Sequence, residues 1–92
     1  MLVKLFATFQ ALGAGSKLMI TVPDGATVAD ALEALFAEAP LLRAHILQPD
    51  SPELQQHVNI MVNGRLIRDL QGLDTRVRNS DPLAIFPPVA GG

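Results

Sequence analysis

The sequence predicts an α+β fold, a mixed sheet of about four to five strands packed on one main helix. Three observations carry that expectation. Stretches near both ends of the chain alternate apolar and polar residues with the two-residue period of a half-buried strand. One stretch alone, residues 28–38, combines strong helical spacing with both a start and a stop signal. Hydrophobic residues make up 49% of the chain, a share that favours a packed core over disorder.

The elements follow in order. Residues 2–10 read as a strand, with Val3, Leu5, Ala7 and Phe9 on the core side and Leu2, Lys4, Phe6 and Thr8 opposite. Two glycines in Ala11-Leu12-Gly13-Ala14-Gly15-Ser16 mark a turn, and Lys17–Val22 returns to complete a hairpin. Pro23-Asp24-Gly25 stops that strand. Thr27 with Asp30 three residues on has the pattern of a capping box, and the acid also suits the positive end of a helix. Val28, Ala31, Leu32, Leu35 and Phe36 then form one apolar stripe, and Pro40 ends the helix. Leu41–Leu47 is a weaker helical segment, and Gln48–Pro52 an irregular exposed loop.

His57–Asn63 is the strongest strand, with Val58, Ile60 and Val62 facing inward. Asn63-Gly64 is a tight-hairpin signal because both residues tolerate positive φ, and Arg65–Arg68 is a short return strand. Leu70, Leu73 and Val77 anchor a longer connection to the last strand, Pro82–Phe86. If the first and last strands pair, they run parallel and the arrangement is a β-grasp. Strand order alone also admits other small α+β folds.

A chain of 92 residues is expected to be one domain. We divide it into a folded body, 1–86, and an extended, flexible C-terminal tail, 87–92. No Cys is present, which excludes disulfides and thiolate metal sites. The N-terminal residues lack the pattern of a signal peptide, and no apolar run reaches the length of a membrane span. The expected location is therefore cytoplasmic, with no membrane partner. A net charge of −2 argues against a nucleic-acid partner.

Charge is unevenly spread. Residues 54–92 hold Arg65, Arg68, Arg76 and Arg78 against three aspartates. Such a cluster suits an acidic partner, or is simply a solvated surface. Enzyme constellations are absent. His45 and His57 stand apart from any nucleophile or ligand cluster, and Glu33 and Glu38 read as the solvated side of the helix. The chain is expected to bind no metal and no cofactor of its own.

The tail reads differently. Pro87-Pro88 holds the backbone extended, and Val89-Ala90-Gly91-Gly92 closes the sequence with small side chains. Six extended residues reach roughly 20 Å, enough to thread a narrow channel in another protein. Glycine lets a partner approach the backbone and leaves the carboxylate of Gly92 unhindered. Terminal glycines can equally be mere fraying.

Four segments carry a family resemblance: Pro23-Asp24-Gly25-Ala26-Thr27-Val28, Val62-Asn63-Gly64, Leu73-Asp74-Thr75 and Ile85-Phe86-Pro87-Pro88-Val89-Ala90-Gly91-Gly92. In this order the chain resembles the small sulfur-carrying subunit of molybdopterin synthase and its relatives among the ubiquitin-like sulfur carriers. The resemblance implies a ubiquitin-like β-grasp fold and no catalytic groups in the chain itself. It implies that an E1-like adenylating enzyme, using ATP and magnesium, activates the carboxylate of Gly92. A sulfur donor protein then converts it to a thiocarboxylate. The molybdopterin synthase large subunit would take up the tail, residues Phe86 to Gly92, in molybdenum cofactor biosynthesis. The longer stretch Leu47–Ile60 is similar instead to a carrier serving cysteine synthesis. Thiamine synthesis, tRNA thiolation and protein modification stay open.

Periodicity adds a candidate docking patch. With Leu83 and Ile85 facing the core, Phe86 faces outward, as do Phe6 and Met61 on their strands. An exposed apolar set of this kind marks an interface. The alternative is that these side chains, Phe6 above all, tuck under the 70–80 connection.

Overall fold

A computed structural model describes residues 1–13 and 15–88. Five strands form one mixed sheet: β1 (Leu2–Leu5), β2 (Lys17–Met19), β3 (Asn59–Val62), β4 (Arg65–Leu66) and β5 (Leu83–Phe86). Their spatial order is β2-β1-β5-β3-β4. Strands β1 and β5 are parallel, with Val3 opposite Leu83 and Leu5 opposite Ile85, and the other neighbours are antiparallel. This is the ubiquitin-like β-grasp.

Three helices accompany the sheet among the described residues: α1 (Thr8–Leu12), α2 (Val28–Glu38) and α3 (Arg43–Ile46). Helix α2 begins at the expected capping box. The Thr27 hydroxyl accepts from the Asp30 N–H at 3.3 Å, and an Asp30 carboxylate oxygen accepts from the Thr27 N–H at 3.0 Å. Val28, Ala31, Leu32, Leu35 and Phe36 are all buried, so the helical stripe lies on the sheet as its spacing requires. Pro40 opens a 3₁₀ turn that leads into α3.

The inner face of the sheet supplies the other half of the core. Val3, Leu5, Ile60, Val62, Leu83 and Ile85 alternate with outward residues along their strands, and all six are buried. Val77 is buried as well, and Leu73 packs against the core from the long connection. That connection is tied to the start of α2: the Val28 N–H donates to Thr75 O at 2.9 Å, and the Val77 N–H to Ala26 O at 2.9 Å.

The first strand is shorter than the alternation of residues 2–10 suggests. It ends at Leu5. Ala7 is exposed with φ of 52°, and Thr8–Leu12 forms α1. Phe9 is buried, but from a helix and not from a strand. The turn into a helix buries Phe9, and the missing side chain at Gly13 leaves room for the tip of the Leu5 side chain, which a carbon there would overlap. The remaining strands are also shorter than expected: β2 stops at Met19, β3 starts at Asn59, β4 ends at Leu66 and β5 starts at Leu83. The backbone pairing next to β2 continues past Met19, because the Met1 amine donates to Ile20 O and the Ile20 N–H to Met1 O.

Candidate functional site

Strand β5 lies in the middle of the sheet, between β1 and β3. The chain therefore leaves the fold from a strand held on both sides, at Phe86. The Phe86 ring stacks on Phe6 with centroids 4.2 Å apart and planes 14° from parallel. An arrangement of this kind stabilises by about 0.5–1.5 kcal/mol beyond the burial of the two rings. Pro87 is half-buried beside it and Pro88 exposed. Val89, Ala90, Gly91 and Gly92, the rest of the expected tail, lie outside the described residues.

Strand register places Phe6, Met61 and Phe86 on one face of the sheet, opposite the helices. Met61 pairs across with Ala84 on one side and Leu66 on the other, and Phe86 pairs with Asn59. Phe6, Met61, Leu66, Ala84 and Phe86 are all half-buried. Phe6 does not tuck under the 70–80 connection. That connection bridges to the start of α2, with Thr27 opposite Arg76, and Phe6 covers Phe86 instead. Basic residues flank the apolar strip. Lys4 pairs with Lys17 at one edge, and Arg68 donates to Asn59 Oδ1 at 2.7 Å at the other.

The four arginines divide between two places. Arg68 belongs to the outer face. Arg65, Arg76 and Arg78 line an open cleft of about 710 Å³ between the β3–β4 hairpin and the connection before β5. Arg76 donates to Gly25 O. Asp81 sits at one end of this cleft. It accepts from Asn63 Nδ2 at 3.0 Å and from the Arg78 N–H at 2.8 Å. Those two bonds, with the Arg78 charge, hold its carboxyl below the ordinary carboxylate value against a smaller opposing effect of burial. The sequence marks this cleft only as an arginine imbalance. Nothing in the strand and helix periodicities brings Arg65 next to Arg76 and Arg78.

His45, on α3, and His57, just before β3 with φ of 67°, are both exposed. Among the described residues no three His, Cys, Asp or Glu side chains gather to hold a metal, and no helix is long and apolar enough to cross a membrane.

The chain is similar in sequence and structure to several known proteins. The ThiS family model matches residues 3–92. Small archaeal modifier protein 3 of Haloferax volcanii is 37% identical over 89 residues, which cover 97% of this chain and 95% of that protein. The sulfur carrier protein CysO of Mycobacterium tuberculosis is 38% identical over 69 residues, 74% of this chain and 70% of that one. Among solved structures, small archaeal modifier protein 1 of Haloferax volcanii superposes with a TM-score of 0.87 at 35% identity and covers 97% of each chain. A putative molybdopterin converting factor subunit 1 of Pyrococcus furiosus superposes with a TM-score of 0.73 at 29% identity, over 96% of this chain and 95% of that one.

Proposed function

The chain belongs to the ThiS family of ubiquitin-like sulfur carriers, and on that membership we propose that the C-terminal carboxylate of Gly92 is its one reacting group. The observation that carries this reading is the extent of the family match, which runs through Gly91-Gly92 to residue 92. The fold supports it: β5 is the central strand, so the tail has a fixed root at Phe86 and the Phe6 stack.

In the proposed reaction an E1-like adenylating enzyme binds ATP and magnesium. The Gly92 carboxylate attacks the α-phosphorus, pyrophosphate leaves, and an acyl adenylate forms. A carboxylate is a poor electrophile, and AMP gives it a leaving group. A hydrosulfide equivalent from a sulfur donor protein attacks the carbonyl carbon, the C–O bond to AMP breaks, and a thiocarboxylate remains. A lysine amine attacking the same carbon would give an isopeptide bond. The chain contributes no catalytic side chain. Its part is to present the tail, with Phe6, Met61 and Phe86 docking the partner at the tail root and residues 87–91 passing into the partner's active site.

The recipient we favour is a sulfur-delivery or protein-modification pathway other than molybdopterin synthesis. Relatives named as modifiers match nearly the whole chain, and one named as a sulfur carrier matches three quarters of it. The second reading is the small subunit of molybdopterin synthase with its large-subunit partner. Its specific support is the Pyrococcus furiosus protein. Incubation with ATP, the adenylating enzyme and a sulfur donor, followed by intact mass measurement, separates the outcomes. Replacement of one oxygen by sulfur identifies a carrier, ladders of conjugates identify a modifier, and an unchanged mass overturns the proposal.

A further inference from the structure

We propose that the cleft between the β3–β4 hairpin and the 70–78 connection receives an acidic segment of a partner protein, one that inserts an apolar side chain between flanking carboxylates. The lining is built in two layers. The floor is apolar: Val62 is 6% exposed, Val77 is 2% exposed, and Leu70 is half-buried. The rim is cationic, formed by Arg65, Arg76 and Arg78. Among the described residues neither the Arg65 nor the Arg78 guanidinium group makes a hydrogen bond, and the Arg78 charge acts on Asp81. Arg76 is oriented by its bond to Gly25 O. The cleft edge therefore holds three guanidinium groups in a chain whose net charge is −2. Long-range attraction of an acidic partner is weak for such a chain, so recognition rests on this local concentration of charge.

The same lining argues against a phosphate ligand. The arginine rim could pair with phosphate as with carboxylate, but Val62, Leu70 and Val77 beside it match an apolar side chain and not a phosphate oxygen. The Arg78 N–H, one backbone donor of the lining, is already taken by the Asp81 carboxylate. Asp81 also places a negative charge in the lining. An acidic peptide meets the same Asp81 charge but matches the apolar part of the lining. Its carboxylates meet the arginine rim in bidentate pairs, and its apolar side chain covers the floor.

Position gives the cleft its use. It lies near the start of β5, and the tail leaves from the end of that strand. Phe86 comes five residues after Asp81, roughly 16 Å of extended chain. A protein held in the cleft leaves both the tail and the Phe6–Phe86 face free. The carrier can thus be retained by one protein while its tail works in the site of another. This inference does not depend on the chemistry proposed for Gly92.

The test is fluorescence anisotropy of the full chain with a labelled peptide that has leucine at its centre and glutamates on both sides. Binding should weaken at least about tenfold with Arg65→Glu and Arg78→Glu combined, a difference of about 1.4 kcal/mol. The milder pair Arg65→Gln and Arg78→Gln should show the same trend, and thermal melting confirms that each variant folds. A peptide with serine at its centre should bind more weakly. Phe86→Asp, and removal of Gly91-Gly92, should leave peptide affinity unchanged. Equal binding by the arginine variants, or by the serine-centred peptide, would overturn the proposal. So would tripolyphosphate if it bound more tightly than the peptide and displaced it.

Discussion

Replacing Phe86 tests the link between the fold and the docking face, because the ring serves both. Its stack on Phe6, at 4.2 Å between centroids, is worth about 1 kcal/mol beyond burial. Each ring is half-buried, so truncation should cost roughly half of what a fully buried Phe→Ala change costs, about 2 kcal/mol. Phe6→Ala and Phe86→Ala should each destabilise by about that much. The double variant should lose about 3 kcal/mol and not 4, because the stack is lost only once. Urea denaturation of the four proteins measures the cycle, and additive losses would refute the stack as an energetic contact. The functional half uses Phe86→Asp. A charge on this face should weaken binding to the adenylating enzyme at least about tenfold, or about 1.4 kcal/mol, while the body stays folded. Unchanged affinity, measured by calorimetry on folded protein, would remove Phe86 from the interface.

Three further outcomes follow from the body of the fold. Thr27→Ala removes the hydroxyl that accepts from the Asp30 N–H. It should cost about 1 kcal/mol, read as a fall in Tm of about 4–8 °C. Gly13→Ala should cost about 1–3 kcal/mol through overpacking against Leu5, and combining it with Leu5→Val should restore part of that loss in the same melts. Asp81 is held below its ordinary carboxylate value, so its contribution to stability is present above that value and is lost as pH falls through the lower folded value. Denaturation across the acid range should show this loss, and Asp81→Asn should flatten that part of the profile.

Most of this architecture is legible because local and long-range signals coincide. The Thr27–Asp30 box, the five-residue apolar stripe and Pro40 bound α2 independently, and the structure starts and ends it where they indicate. Alternation in β3 and β5 identifies the core face, and with it the outward residues Met61 and Phe86. Residues 7–12 misled for a definite reason. Val3, Leu5, Ala7 and Phe9 continue a strand pattern, yet Phe9 and Leu12 also have helical spacing. The helix brings Gly13 close against the Leu5 side chain, a tertiary contact that periodicity does not encode. The arginine cleft was hidden likewise. Arg65 comes from the hairpin, and Arg76 and Arg78 from the connection before β5, so only the folded chain joins them.

The central claim is that one atom group, the carboxylate of Gly92, carries the chemistry. Tandem mass spectrometry of the chain after reaction with ATP, the adenylating enzyme and a sulfur donor tests it most directly. The account predicts that sulfur, or the bond to a lysine, maps to residue 92, and that a chain lacking Gly91-Gly92 folds normally but stays unmodified. Modification at any other residue, or sulfur transfer by the shortened chain, would contradict it.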